Sequence, residues 1–251
     1  MKKRLRQILI AILILIIVID GVFLVKWIID LNKGNEQNQT VHDIVDTNSD
    51  DSDRYKMSKQ GLEALKEQYP NVLAYIEFED SFISEPIVQG EDNDYYLRRW
   101  IDGTYNSEGS VYFDYSCNKE NQNITIYGHN VFYDSSARFS GLEQLEKQEG
   151  YDEHHTFKIW YEDEVRTYVI AYVTEYDVNE DSSFDYKVKN FYMQSIYDDY
   201  MEWLDNHQQI EPVEESKISK TDNIVTLQTC VKWNDSKRHL VIAKEVARET
   251  Y

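Results

Sequence analysis

The amino-acid sequence predicts a mostly β fold with peripheral helices, an eight-stranded closed or nearly closed barrel, preceded by one N-terminal transmembrane helix. Three observations carry this prediction. Eight short segments of alternating or β-branched character lie between Val72 and Val246. Aromatic residues make up 14% of the 251 residues, including 20 Tyr and 5 Trp, which suits half-buried strands. A long apolar run directly follows a basic start.

That start, MKKRLR, leads into ILIAILILIIVIDGVFLV from Ile8 to Val25. Eighteen helical residues span about 27 Å, close to the thickness of a bilayer core. The basic side chains hold the amino terminus in the cytoplasm and place the remainder outside. Asp20 interrupts the run, but toward its outer third, where a carboxylate costs less than at the bilayer centre. A cleaved signal peptide also fits a basic start with an apolar run. The length of the run and the lack of a small-x-small cleavage site favour an uncleaved anchor. The expected organisation is therefore a basic start and anchor over 1–30, a flexible acidic linker over 31–54, and a folded domain over 55–251.

The first 30 residues carry five basic and two acidic side chains, leaving 44 acidic against 21 basic, or -23, for residues 31–251. A surface that acidic repels phosphate backbones and excludes nucleic acid as a partner. Two cysteines, Cys117 and Cys230, are too few for a disulfide-stapled domain, though one bridge between them stays open.

Within the domain, MSKQGLEALKEQYP predicts a short amphipathic helix with Leu62, Leu65 and Tyr69 on one face and Pro70 as its stop. Strands are expected at 72–78, 85–90, 110–115, 123–128, 156–162, 165–176, 223–229 and 239–246. Helical patterns fall at Phe139–Gln148 and Asn190–His207. In the second, Phe191, Ile196, Tyr200, Trp203 and Leu204 could face the core.

A thiol attacking a carbonyl needs a base for its proton and donors for the developing oxyanion. Cys230 ends the strand NIVTLQT and opens the loop VKWNDSK, a rigid but accessible place for a nucleophile. Alone, it reads more readily as a buried thiol. His129 holds a similar position after NITIYG, where Gly128 permits a sharp turn. Arg238 opens the last strand eight residues after Cys230. If the two strands are antiparallel neighbours, the guanidinium stands beside the thiol and can hold a carbonyl or an oxyanion. Spacing alone does not make these three a site.

Their company points further. TLQTC with an arginine eight residues on resembles the TLxTC…R motif of class B sortases, and YGHN resembles their histidine segment. EPIVQGEDNDYYL, GSVYFDYSC, NITIYGHN and the helix at 190–207 follow in the order of that class, so the resemblance covers about Tyr55 to Val246. It implies a sortase-type barrel whose groove binds a C-terminal sorting signal, NPQTN-like or [SN]PxTG-like. It also implies a Gram-positive cell membrane as location, with the catalytic domain outside. Cys230 then matches the nucleophile, His129 the general acid/base and Arg238 the residue that positions substrate and stabilises the oxyanion. Asn93, Leu97 and Thr229 match substrate-binding positions, with Tyr127 a further candidate. The implied partners are surface proteins bearing the signal, an amine from peptidoglycan and the membrane.

No Gly-rich phosphate loop or dinucleotide fingerprint occurs, so no cofactor is expected. No metal is expected either. His154 and His155 are adjacent, cannot both face one ion on a regular element, and read as an exposed turn. The acidic linker lacks a Ca²⁺-loop pattern. Cys117 reads as a packing or surface residue. Two other functions compete with a transpeptidase: a Cys-His hydrolase without transfer, and an anchored binding domain in which Cys230 is structural.

Overall fold

The computed structural model describes residues 2–49, 54–131 and 134–251. Two compact units divide it near residue 43. In the first, helix α1 (Lys2–Thr47) turns its apolar side chains outward all round from Ile8 to Ile29. It is the one helix among the described residues long and apolar enough to cross a membrane. The segment expected to form a flexible linker is helical as far as Thr47; its acidic stretch 50–53 lies outside the described residues. Glu36, Gln37 and Gln39 are good helix formers, and Gln39 donates to Asp43 one turn on, at 2.7 Å.

The second unit is a closed barrel in the order β1-β2-β3-β4-β7-β8-β6-β5. Its strands are β1 (Ala74–Phe78), β2 (Ser84–Val88), β3 (Val111–Phe113), β4 (Asn123–Tyr127), β5 (Thr156–Tyr161), β6 (Glu164–Asp177), β7 (Ile224–Val231) and β8 (Asn234–Thr250). All eight expected strands are present. Only β2–β3 and β4–β7 pair in parallel. Closure removes the free edges that such a sheet would otherwise expose.

Inward-facing Ile76, Ile87, Val111, Ile126, Ile159, Ile170, Leu227 and Val241 fill the barrel, with Phe78 stacked on Phe157 at 4.6 Å. Cys117 belongs to this core, which settles it as a packing residue. Helix α2 (Lys59–Gln68) is capped by Ser58, whose hydroxyl accepts from Gly61 N at 3.0 Å. It buries Leu62 and Leu65, and Tyr69 falls just past its end. Glu77, fully buried in β1, accepts the amides of Lys56 and Met57 at 3.0 and 2.9 Å, which ties the chain's entry to the barrel.

Three details differ from expectation. The helical pattern at 139–148 divides into a 3-10 helix (Ser140–Glu146) and α3 (Gln148–His154), because Lys147 between them is extended. The fourth helix, α4, begins at Gln194 rather than Asn190. Asn190 and Phe191 are instead hydrogen-bonded to Gln122 at the start of β4. His154 is not an exposed turn: it ends α3 with its ring stacked on Phe82 at 3.9 Å. Phe191, Tyr200 and Leu204 are buried against the outer faces of β6 and β8, with Ile196 and Trp203 partly so.

Candidate active site

The β7–β8 hairpin is tighter than the seven-residue loop expected. Strand β7 runs through Val231, β8 resumes at Asn234, and Lys232 and Trp233 make the turn, Trp233 in the left-handed region at φ 62°. Cys230 and Arg238 are direct cross-strand partners, and the register shifts immediately beyond them, between Cys230 and Val231, where Val231 pairs with Asn234. Cys230 is exposed. The Arg238 guanidinium leans along the hairpin, donating from Nη1 to the carbonyls of Asp235 and Lys237 at 2.8 and 3.0 Å. Nε and Nη2 make no further hydrogen bond among the described residues.

Strand β4 lies parallel beside β7, with Tyr127 opposite Gln228. Past its end, Gly128 N donates to Gln228 O at 3.1 Å and Asn130 Nδ2 donates to Cys230 O at 2.9 Å. These two bonds bracket His129 and hold it at the level of Cys230, at the same end of the barrel. Gly128 is needed because a Cβ there would lie 2.7 Å from the Phe139 ring.

His129 Nε2 lies 2.7 Å from the carbonyl oxygen of Leu97. A carbonyl only accepts, so Nε2 carries the hydrogen and Nδ1 is the nitrogen open to a proton. Burial pushes the imidazole below its ordinary value, and the charges of Arg98 and Arg138 push the same way, against the bond to Leu97. In an NMR titration His129 is expected to protonate below about 6.5, the unperturbed value. Because the unfolded chain takes that proton more readily, acidification below about 6.5 removes stability, and above it the effect vanishes. A midpoint above 6.5 would contradict this account.

The four expected substrate-binding residues fall in three places. Asn93 Nδ2 and Tyr127 OH both donate to Asp114 Oδ2, at 2.9 and 2.8 Å, and Asn93 Oδ1 accepts Tyr115 N. Burial alone would raise the Asp114 carboxyl, but bonds from Ser116, Asn93 and Tyr127 outweigh it and hold the group below the usual range. Leu97 contributes through its carbonyl to His129. Thr229 is fully buried and its hydroxyl has no hydrogen-bond partner, so it lies beneath the surface that exposes Cys230. This is the period-two alternation of a strand.

Asn93 and Asp114 line a cavity of about 600 Å³, together with Tyr115, Tyr176, Phe184 and Tyr186. Two of its walls reach the hairpin: Tyr176 pairs with Arg238 across β6 and β8, and Tyr186 OH donates to Gln228 at 3.3 Å. Asp114 escaped the sequence reading, although it sits within the segment GSVYFDYSC. Among the described residues no group of His, Cys, Asp and Glu side chains could hold a metal ion.

The described arrangement places an accessible thiol, an oriented imidazole and a guanidinium at one barrel end, and the cavity of about 600 Å³ approaches them through Tyr176, the cross-strand partner of Arg238. A sortase-domain profile matches residues 76–246. Sortase B of Listeria monocytogenes is 28% identical over 86% of this chain and 88% of its own. The structure of Clostridium perfringens sortase B superposes with a TM-score of 0.65 at 24% identity, covering 74% of this chain and all of that one. A Staphylococcus aureus sortase B–substrate complex superposes with a TM-score of 0.65 at 20% identity, covering 75% of this chain and 85% of that one. The chain belongs to the sortase family, on its class B branch, and is a cysteine transpeptidase.

Proposed function

We propose that this protein is a membrane-anchored sortase that cleaves a C-terminal sorting signal after threonine and transfers the upstream protein to a peptidoglycan amine. The observation that carries this reading is the cross-strand pairing of Cys230 with Arg238, with His129 bracketed onto the same strand. Burial favours a neutral imidazole, whose Nδ1 is open to take the thiol proton as attack begins. The sulfur adds to the threonine carbonyl carbon, and Arg238 offers its remaining N–H groups to the oxygen. His129 then protonates the departing amine, leaving a thioacyl enzyme. An incoming amine gives up its proton to His129, attacks the thioester and releases the thiol. The cavity beside Asn93 and Tyr186 is the proposed seat of the signal, either NPQTN-like or [SN]PxTG-like. A relative having been solved with substrate makes a bound peptide a fitting occupant.

The organisation proposed is an anchor over 1–30 with the amino terminus in the cytoplasm, a spacer over 31–54 and an external catalytic domain over 55–251. The apolar surface of α1 behind a basic start supports the anchor. The test is product analysis with fluorogenic pentapeptides of both motif types, with and without a glycine or diaminopimelate peptide. Amide product that grows with amine concentration supports transfer. Product that stays purely hydrolytic at high amine favours a hydrolase.

A further inference from the structure

The 3-10 helix Ser140–Glu146 contacts both halves of the site through one carboxylate. Glu143 accepts from Asn130 Nδ2 at 2.5 Å and meets Lys232 Nζ at 2.8 Å. Asn130 directly follows His129, and Lys232 lies two residues beyond Cys230 in the hairpin turn. The same Asn130 nitrogen reaches Cys230 O at 2.9 Å. Both amide protons are therefore committed, one to the carboxylate and one to the carbonyl of the nucleophile. A flipped amide would set its oxygen against two acceptors, so this orientation is the only one that satisfies them. Asn130 Oδ1 is left buried without a hydrogen-bond partner. Buried acceptors are rarely left so, and the side chain is thus held for its donors.

The Glu143–Lys232 pair is partly exposed, 27% on each side chain, and an ion pair of that kind adds little to stability. Its geometric consequence is larger, because it joins the histidine's loop to the cysteine's hairpin. We propose that Glu143 is a positioning residue for cleavage: by orienting the Asn130 amide onto the Cys230 carbonyl, it sets the spacing of His129 and Cys230. This rests on the reading of Cys230 as nucleophile and His129 as acid/base. A misplacement of the order of 1 Å in such a pair costs up to about a hundredfold in rate.

The experiment measures kcat, KM and melting temperature for the full-length protein in detergent, comparing Glu143→Ala, Glu143→Gln, the swap Glu143→Lys with Lys232→Glu, and Cys230→Ala. Glu143→Ala is expected to lower kcat roughly tenfold with KM within about twofold. Glu143→Gln keeps an acceptor for Asn130 and should recover most of kcat. The swap restores the ion pair but turns an ammonium toward the Asn130 amide, so it should stay slow. Recovery of kcat in the swap, or an unchanged kcat in Glu143→Ala, would overturn the proposal. If Glu143→Ala fails to fold, Glu143→Gln against the swap decides in the same way. Full activity in Cys230→Ala would instead remove the underlying reading, whereas an inactive Cys230→Ala beside a fully active Glu143→Ala removes the positioning role alone.

Discussion

Cys230→Ala is expected to lower peptide cleavage by roughly 10³-fold or more while leaving the melting temperature almost unchanged, because loss of the proposed nucleophile removes the covalent route altogether. The unusual feature is that the two effects separate. Cys230 is exposed at a strand end, and substitutions at such sites usually change stability by less than about 0.5 kcal/mol. The other thiol cannot substitute for it. Cys117 lies in the barrel core, and burial raises its thiol above the ordinary value, keeping it protonated and shielded. Fluorogenic cleavage and a thermal melt on the same sample test both halves. Cleavage equal to wild type would remove Cys230 from the chemistry.

Arg138→Met is expected to reduce stability by about 3–5 kcal/mol, the cost of leaving a buried charge uncompensated. Arg138 is fully buried in the left-handed region at φ 53°. Its Nη1 donates to both carboxylate oxygens of Glu85 at 3.0 Å, and Nε donates to Gly109 O at 2.8 Å. Glu108 stands 3.6 Å away and the Trp100 ring lies beneath the guanidinium. Methionine fills the volume but strands two buried carboxylates. For a domain of about 200 residues the melting temperature should fall on the order of 10 °C. Adding Glu85→Gln to Arg138→Met should recover part of it, since one stranded charge is removed. An unchanged melt in the single variant would show that the cluster contributes nothing. The cluster also bears on the site. A Cβ on Gly109 would lie 2.5 Å from Leu97 O, the carbonyl that orients His129, and Phe139, next to Arg138, donates its amide to His129 O.

The barrel was legible because strand formation leaves a local record. Alternation in NITIY and VRTYVIAYVTEY marks β4 and β6 without knowledge of their partners. Cys230, His129 and Arg238 were visible as strand-end residues in recognisable segments. Glu85, Glu108 and Arg138 were not, since they are far apart in sequence and only closure of the barrel brings them together. Glu143 escaped for the same reason: its partners are Asn130 and Lys232, and a lone glutamate on a helical pattern reads as a solvated face. The length of the β7–β8 connection was misread because Asn234 to Lys237 are polar, yet Asn234 pairs with Val231 of β7 and Lys237 with Asp177 of β6. The helical extension of α1 was hidden because residues 31–40 carry one apolar side chain, Leu31, and so leave no packing face to read, while Val41 and Val45 show their burial only in the fold.

The central claim is that Cys230 carries the acyl group, and intact-protein mass spectrometry tests it most directly. The full-length protein in detergent is mixed with a cleavable sorting peptide without amine, and its mass is read over time. The account predicts a gain equal to the amino-terminal fragment of the peptide, located on Cys230 and discharged by an added amine. Peptide cleavage with no mass gain on Cys230, or with the gain on another residue, would contradict it.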